Sequence, residues 1–216
     1  MPPALMPPAW PRPARAAATA LAALAVMLAT AAAQAQAQPV PAPAAAAEPE
    51  VVVVNGCPLW PYAQCPGADL RHANLVGRDL RGVNFRGARL ARADLRSANL
   101  AGAVLDGADL TGAHGYALNA PGASFREARL VGASFEQARF FRADFSGADL
   151  RGASLEMARL NFAQFVGARL VDANLQEAKF VASNLRDAEF DGNLLRFAIF
   201  PDTLMDGCRG CPLDRR

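Results

Sequence analysis

The chain has 216 residues, with Lys+Arg 22 against Asp+Glu 20 and a formal net charge of +2. That balance argues against a strongly basic, non-specific DNA binder and equally against an acidic DNA mimic. The 2 His and 4 Cys are too few for a multi-metal or haem protein, and the aromatic content is dominated by 12 Phe.

Residues 1–37 read as a secretory signal peptide. Met1 to Arg15 is Pro-rich and carries Arg12 and Arg15 without an acid, and Ala16 to Ala33 is apolar around Leu21, Leu24, Val26, Met27 and Leu28. Ala33-Gln34-Ala35 and Ala35-Gln36-Ala37 each present small residues at the two positions a signal peptidase reads. An uncleaved anchor is the alternative, since the apolar run is close to the minimum span of ~18 residues. No Cys adjoins the run, so a lipid anchor is not indicated. The expectation is a periplasmic or secreted protein with no stable membrane anchor after cleavage. Residues 38–50, QPVPAPAAAAEPE, read as an extended Pro/Ala-rich linker. Residues 51–67 read as an N-terminal cap that opens with a short strand at Val51–Val54.

From 68 to 200 the chain repeats every five residues without a slip of phase. Every fifth position from Leu70 to Phe200 is Leu or Phe except Gly115 and Ala120. Two residues before each of these centres stands Ala, except at Arg78, Val83, Leu118, Ser183 and Asn193. Ala68-Asp69-Leu70-Arg71-His72 and Ala148-Asp149-Leu150-Arg151-Gly152 are typical units. A period of five fits neither the 3.6-residue helix nor the two-residue strand. It buries two side chains per unit only if the chain turns a corner at each unit.

These units resemble the pentapeptide repeat family, whose pattern is A-(D/N)-L-x-x. The resemblance implies an all-β, right-handed quadrilateral parallel β-helix: four units make one square turn, and about seven coils stack at ~4.8 Å. Such a solenoid is held by nearest-neighbour stacking. With twenty residues per coil, the column Asp69, Arg89, Asp109, Arg129, Asp149, Arg169, Glu189 alternates acid and base and predicts a ladder of ion pairs. Phe85, Phe125, Phe145 and Phe165 fall in one interior column with Leu105 between them. Segment 113–122 breaks the motif, and two readings compete: degenerate sides that keep the coil, or a bulged loop. Degenerate sides place Phe135 over Gly115 and Phe140 over Ala120, so that large residues fill the space left by small ones.

The remaining candidates lie at the ends and on one face. Cys57 and Cys65 precede the first coil, and Cys208 and Cys211 follow the last, within a C-terminal cap at 201–216. In an exported protein the pairs Cys57–Cys65 and Cys208–Cys211 are the expected disulfides. Redox chemistry at the C-x-x-C, metal binding and an intermolecular bridge are the alternatives. No catalytic motif is present, and Ser124, Ser134 and Ser154 simply precede repeat centres. Neither cofactor nor metal is expected. His72 and His114 fall at outward positions on different faces, and Arg78 takes an inward position in the first coil. One outward surface is unusual: Arg139, Arg159 and Lys179 share a column, with Phe141, Phe162, Val181 and Arg142 beside it. Two outward Phe on neighbouring coils suggest a surface for an anionic or apolar partner or a second copy of the chain, against packing under the C-terminal tail. The leading function is an exported, non-enzymatic module that binds protein or serves structure. The alternatives are a DNA-mimicking, topoisomerase-interacting protein, which the leader and neutral charge disfavour, and a thiol/disulfide protein.

Overall fold

A computed structural model describes residues 52–212. The leader, the linker and the cleavage sites lie outside the described residues. The described chain opens with a hairpin: β1 (Val53–Val54) pairs antiparallel with β2 (Cys57–Pro58), Val54 opposite Cys57. Asn55 and Gly56 join them at φ 49° and 80°. This is the Asn-Gly pair that a tight hairpin turn requires, because both central residues must adopt positive φ.

Beyond the hairpin the chain is a coil of one-residue parallel bridges, each joining a residue to the one twenty positions on: Gln64 to Asn84, Asp69 to Arg89, and so on to Glu189 with Arg209. The bridges start before Ala68 and end after Phe200, so the coil takes in parts of both segments assigned to caps. The reason is geometric. Cys65 stands at a repeat centre beneath Phe85, and Met205 stands at another, half-buried above Leu185. Neither is Leu or Phe, but both fill the interior.

Most sides are built the same way, the turn before Ala173 being an exception. The Leu70 carbonyl accepts from the Ala73 N–H at 3.1 Å, closing a turn whose third residue, His72, has φ 58°. Positive φ at the third residue is the type II signature. It recurs at every fifth residue, where Gly alternates with Arg, Gln, Met and even Phe. Between coils, Leu70 N–H donates to Arg89 O (2.8 Å) and Arg89 N–H to Ala68 O (2.9 Å). A straight side therefore has its backbone bonded both upward and downward. The inward Leu, Phe and Ala are fully buried along most of the rod. The Phe column is continuous from Phe125 to Phe165, with Phe125 stacked on Phe145 at 4.9 Å and Phe145 on Phe165 at 5.0 Å, and Leu105 separates it from Phe85. Dispersion among these close-packed rings and the burial of their apolar area hold adjacent coils together.

The degenerate segment keeps the coil. His114 bridges Ser134 and Asn119 bridges Arg139, in register with the coils on either side. The Phe135 ring occupies the space that a side chain on Gly115 would take. In the next side Leu118 fills the usual Ala position while Ala120 sits at the centre, and both are fully buried. Large and small have exchanged places, so the interior volume is conserved.

The expected acid–base ladder is corrected in part. The column forms, but among the described residues only Arg89 with Asp69 (3.7 Å) and Arg169 with Glu189 (2.9 Å) pair across its coils. Asp69 and Asp149 instead hold Arg71 and Arg151 at 2.6 and 2.7 Å. The residue two positions on shares the corner with the aspartate, whose oxygen also lies within reach of its N–H. A local pair therefore forms without spanning a coil.

Candidate partner-binding face

The side whose centres are Phe140, Leu160 and Phe180 projects Arg139, Arg159 and Lys179, joined by successive bridges and all exposed. Below them the column continues as Asn119, and above them as Ile199. Three like charges thus stack at coil spacing, ~4.8 Å. Among the described residues none of the three has a carboxylate within salt-bridge distance. Elsewhere Arg71, Arg81, Arg96 and Arg151 each hold an aspartate two residues back, and other cations without an ion pair, such as Arg129 between Asp109 and Asp149, do not stack on like charges. On this side the residues two positions after the cations are Phe141, Asn161 and Val181, and the residues two before are Gln137, Met157 and Glu177. The local pairing partner is missing by sequence in five of six places, and Glu177 makes no ion pair.

The neighbouring corner is apolar and cationic together. Phe141 and Phe162, 42% and 44% exposed, meet edge to face with ring centroids 5.3 Å apart. The Arg142 guanidinium lies over both rings, at 5.2 and 6.0 Å from their centroids. Such contacts hold the cation over the negative ring faces. Val181 stands half-buried one coil above Asn161. Phe162 holds φ 61° at a corner where many coils use Gly. A bulky side chain in that conformation costs about 1 kcal/mol that Gly would avoid. The structure thus brings Arg139, Arg159 and Lys179 into one column and Phe141, Arg142, Phe162 and Val181 along its edge.

Sequence reasoning missed the other wall. Ala117, Gln137, Met157 and Glu177 form a second column that, with Asn119 and the three cations, encloses a groove of about 540 Å³. These residues lie twenty apart at one corner, so the signal was the same periodicity read at a turn position. A smaller groove of about 300 Å³ lies elsewhere, lined by Asp94, Arg96, His114, Tyr116 and Ser134. There Arg96 already holds Asp94 at 2.6 Å. The Ser134 hydroxyl donates to Glu136 and that of Ser124 to Asp106, so both serve the coil surface. Arg78 is half-buried, without an ion-pair partner among the described residues, and His72 is exposed at a corner.

The cysteines meet pairwise at opposite ends of the coil. Cys57 and Cys65 are buried, with Cα atoms 5.5 Å apart, and the Cα atoms of Cys208 and Cys211 are 5.8 Å apart. Both separations lie in the range a disulfide spans. The first pair ties β2 to the base of the coil, and the second folds the chain end back at the top.

The sequence matches the model of the pentapeptide repeats in 8 copies, over residues 60–87, 79–114, 122–156, 158–196 and 173–209. The interval left between 114 and 122 is the degenerate segment. No curated protein sequence matches it. Among solved structures it is similar to HetL, a pentapeptide repeat protein involved in heterocyst differentiation regulation from the cyanobacterium Nostoc sp. strain PCC 7120. The identity is 25% and the TM-score 0.39, covering 68% of this chain and 87% of that one. It is also similar to QnrB1, a plasmid-mediated fluoroquinolone resistance protein, at 16% identity and TM-score 0.41 over 70% and 92% of the two chains. A pentapeptide repeat protein of the Arabidopsis thaliana thylakoid lumen gives 26% identity and TM-score 0.33 over 62% and 69%.

Proposed function

Because the chain belongs to the pentapeptide repeat family, whose coil it carries from Gln64 to Arg209, we propose that it is an exported, non-enzymatic solenoid. Its working surface on this reading is the face of Arg139, Arg159 and Lys179, which binds a partner protein. One observation carries this: three stacked cations without counter-charge, beside two outward Phe rings. Like charges directly opposite one another across a sheet are destabilising. An exposed aromatic pair likewise contributes less than a buried one. A repeat that needs neither at these positions keeps both where a partner supplies the missing charge and covers the rings.

Export is supported by the composition of residues 1–37 and by the two cysteine pairs, which an oxidising compartment joins as disulfides. A duplex-mimicking role needs a continuous acidic face, whereas this chain presents a cationic column. A thioredoxin-like site at Cys208 needs a helix after the first cysteine to favour the thiolate, and no helix occurs among the described residues.

The test has two parts. In the native host, fractionation with intact-mass measurement is expected to find a species lacking the leader outside the cytoplasm, with no alkylatable thiol until reduction. A photo-crosslinking residue in place of Val181 is expected to capture a discrete protein, and one in place of Arg129, on another side, to capture none. A full-length cytoplasmic species with free thiols refutes export, and equal capture from both positions refutes the assignment of the face.

A further inference from the structure

Resting on the reading of this face as the working surface, we propose that its groove takes a linear acidic segment of the partner. Glutamate or aspartate side chains lie along Arg139, Arg159 and Lys179, and an apolar residue of the segment lies against Phe141 and Phe162. Four features point to this occupant. The charge is cationic and uncompensated, so the ligand is anionic, and guanidinium groups pair carboxylates through two parallel hydrogen bonds. The basic strip is one column wide. Glu177 borders it on one edge, and Asp144 stands on the adjoining side, where Arg126 already pairs it. A duplex with phosphates on two strands would meet both carboxylates, whereas a single extended segment in the groove meets Glu177 alone, in the coil of Lys179. The Phe141 and Phe162 rings stand edge to face with Arg142 above both. The rings therefore offer no flat open platform on which sugar rings stack, and their exposed edges suit an aliphatic side chain. Finally, the coil backbone here is already bonded above and below, with Phe140 N–H to Arg159 O at 2.8 Å and Arg159 N–H to Ala138 O at 2.9 Å. Strand addition onto the face is therefore closed, and recognition proceeds through side chains.

The geometry of the segment follows. Alternate residues of an extended chain lie roughly 6.6–6.8 Å apart on one face, and coils lie ~4.8 Å apart. Acids at alternate positions thus reach successive cations through the flexible Arg and Lys stems. Asn119 below and Ile199 above end the charged stretch, so the segment needs only two or three acids in register.

The experiment uses the purified mature protein and fluorescence anisotropy with a labelled, glutamate-rich extended peptide carrying one leucine. A glutamine counterpart, an oligouronate and a short DNA duplex serve as competing probes. The acidic peptide is expected to bind, to weaken as salt rises, and to lose at least about tenfold in affinity in Arg139→Gln/Arg159→Gln, equivalent to about 1.4 kcal/mol. Arg129→Gln on another side leaves it unchanged. Phe141→Ser/Phe162→Ser weakens the leucine-bearing peptide more than one in which serine replaces that leucine. Thermal melting keeps the test clean: removing two like charges leaves the melting temperature of the Arg pair variant equal or higher. The inference is overturned if the peptide does not bind, if the Arg pair variant binds it equally, or if the oligouronate or the duplex binds more tightly. Site-specific crosslinking from position 181 that persists while the acidic peptide fails to bind sinks this inference alone. Loss of both sinks the reading of the face as well.

Discussion

Gly115 provides the sharpest test of how this coil tolerates a broken repeat. Its φ is not positive, so alanine is acceptable to the backbone, and the obstacle is the edge of the Phe135 ring, which occupies the position of the added methyl. The Leu118 Cδ2 lies at 3.5 Å, in ordinary contact. Overpacking of a closed core costs about 1–3 kcal/mol. Against it, Gly to Ala removes freedom from the unfolded chain and returns about 0.4–1 kcal/mol. Gly115→Ala is therefore expected to destabilise by about 1–2 kcal/mol, or roughly 3–6 °C in melting temperature for a chain of this size. Phe135→Leu alone leaves a void and costs about 1 kcal/mol. In the double variant the methyl occupies part of that void, so the two costs do not add, and the coupling is expected at about 1–2 kcal/mol in favour of the double variant. Urea unfolding followed by far-UV circular dichroism measures all four corners of the cycle. Additive costs, or a stabilised Gly115→Ala, would falsify the claim that Phe135 replaces the missing side chain one coil below it.

Asn193 stands at an inward Ala position and mends an open turn. Its amide donates to Leu170 O at 2.7 Å, and its oxygen accepts the Ala173 N–H at 2.8 Å. Asn193→Ala lets that turn close on itself and is expected to cost about 1 kcal/mol, whereas Asn193→Asp sets a carboxylate against the Leu170 carbonyl and costs about 2–3 kcal/mol; chemical denaturation that ranks them in the opposite order rejects this account. Reduction is expected to lower stability by about 2–3 kcal/mol through Cys57–Cys65, which closes a separation of 8, and by less through Cys208–Cys211, which closes 3; Cys57→Ala/Cys65→Ala should therefore unfold at lower urea than Cys208→Ala/Cys211→Ala. Acid should act through the corner carboxylates. The Arg71 hydrogen bond holds Asp69 down at about 2, and Arg81, Arg96 and Arg151 likewise lower Asp79, Asp94 and Asp149. Folded values below the unfolded ones mean stability that is present above the ordinary carboxylate range near 4 and is lost as pH falls through the folded values. Melting temperature is thus expected to be level from neutrality to about pH 5 and to decline below about pH 4, and a decline beginning above pH 6 would show that other groups govern it.

Most of the fold is legible in the sequence because the repeat encodes it redundantly. Leu or Phe at every fifth residue and Ala two before it leave one way to bury both. The unbroken phase through Gly115 and Ala120 predicts that the coil continues there. What escaped has physical reasons. The ends escaped because Cys65 and Met205 fill the interior without matching the pattern, so burial extends past the motif. The ion-pair ladder was overstated because a column is a matter of register, whereas pairing depends on side-chain reach. Arg71 holds Asp69 from the same corner more closely than Arg89 does from the neighbouring coil, and Arg151 holds Asp149 where Arg169 makes no pair with it. The cationic column was visible as periodicity. The wall of Gln137, Met157 and Glu177 was not, because corner residues vary freely in this fold and nothing in their chemistry sets them apart until the turns place them beside the cations.

The same local logic shows why the cationic face stands out. On this rod an outward charge is neutralised cheaply by the residue two positions away, because the turn brings both to one corner. Arg81 with Asp79 (2.7 Å) and Arg96 with Asp94 (2.6 Å) show how little is required. A single carboxylate at 141, 161 or 181 would supply such a partner. Those positions hold Phe, Asn and Val instead, and the corner beside them holds Arg142 and Phe162. One side thus lacks, over three successive coils, the pairing that Arg71, Arg81, Arg96 and Arg151 use, and like charges stack where the repeat itself imposes no charge. Stability alone gives no account of that choice. A ligand that brings its own carboxylates does, because it gains in binding what the free coil forgoes in pairing, and the rigid bridges beneath hold the three cations at fixed spacing to receive it.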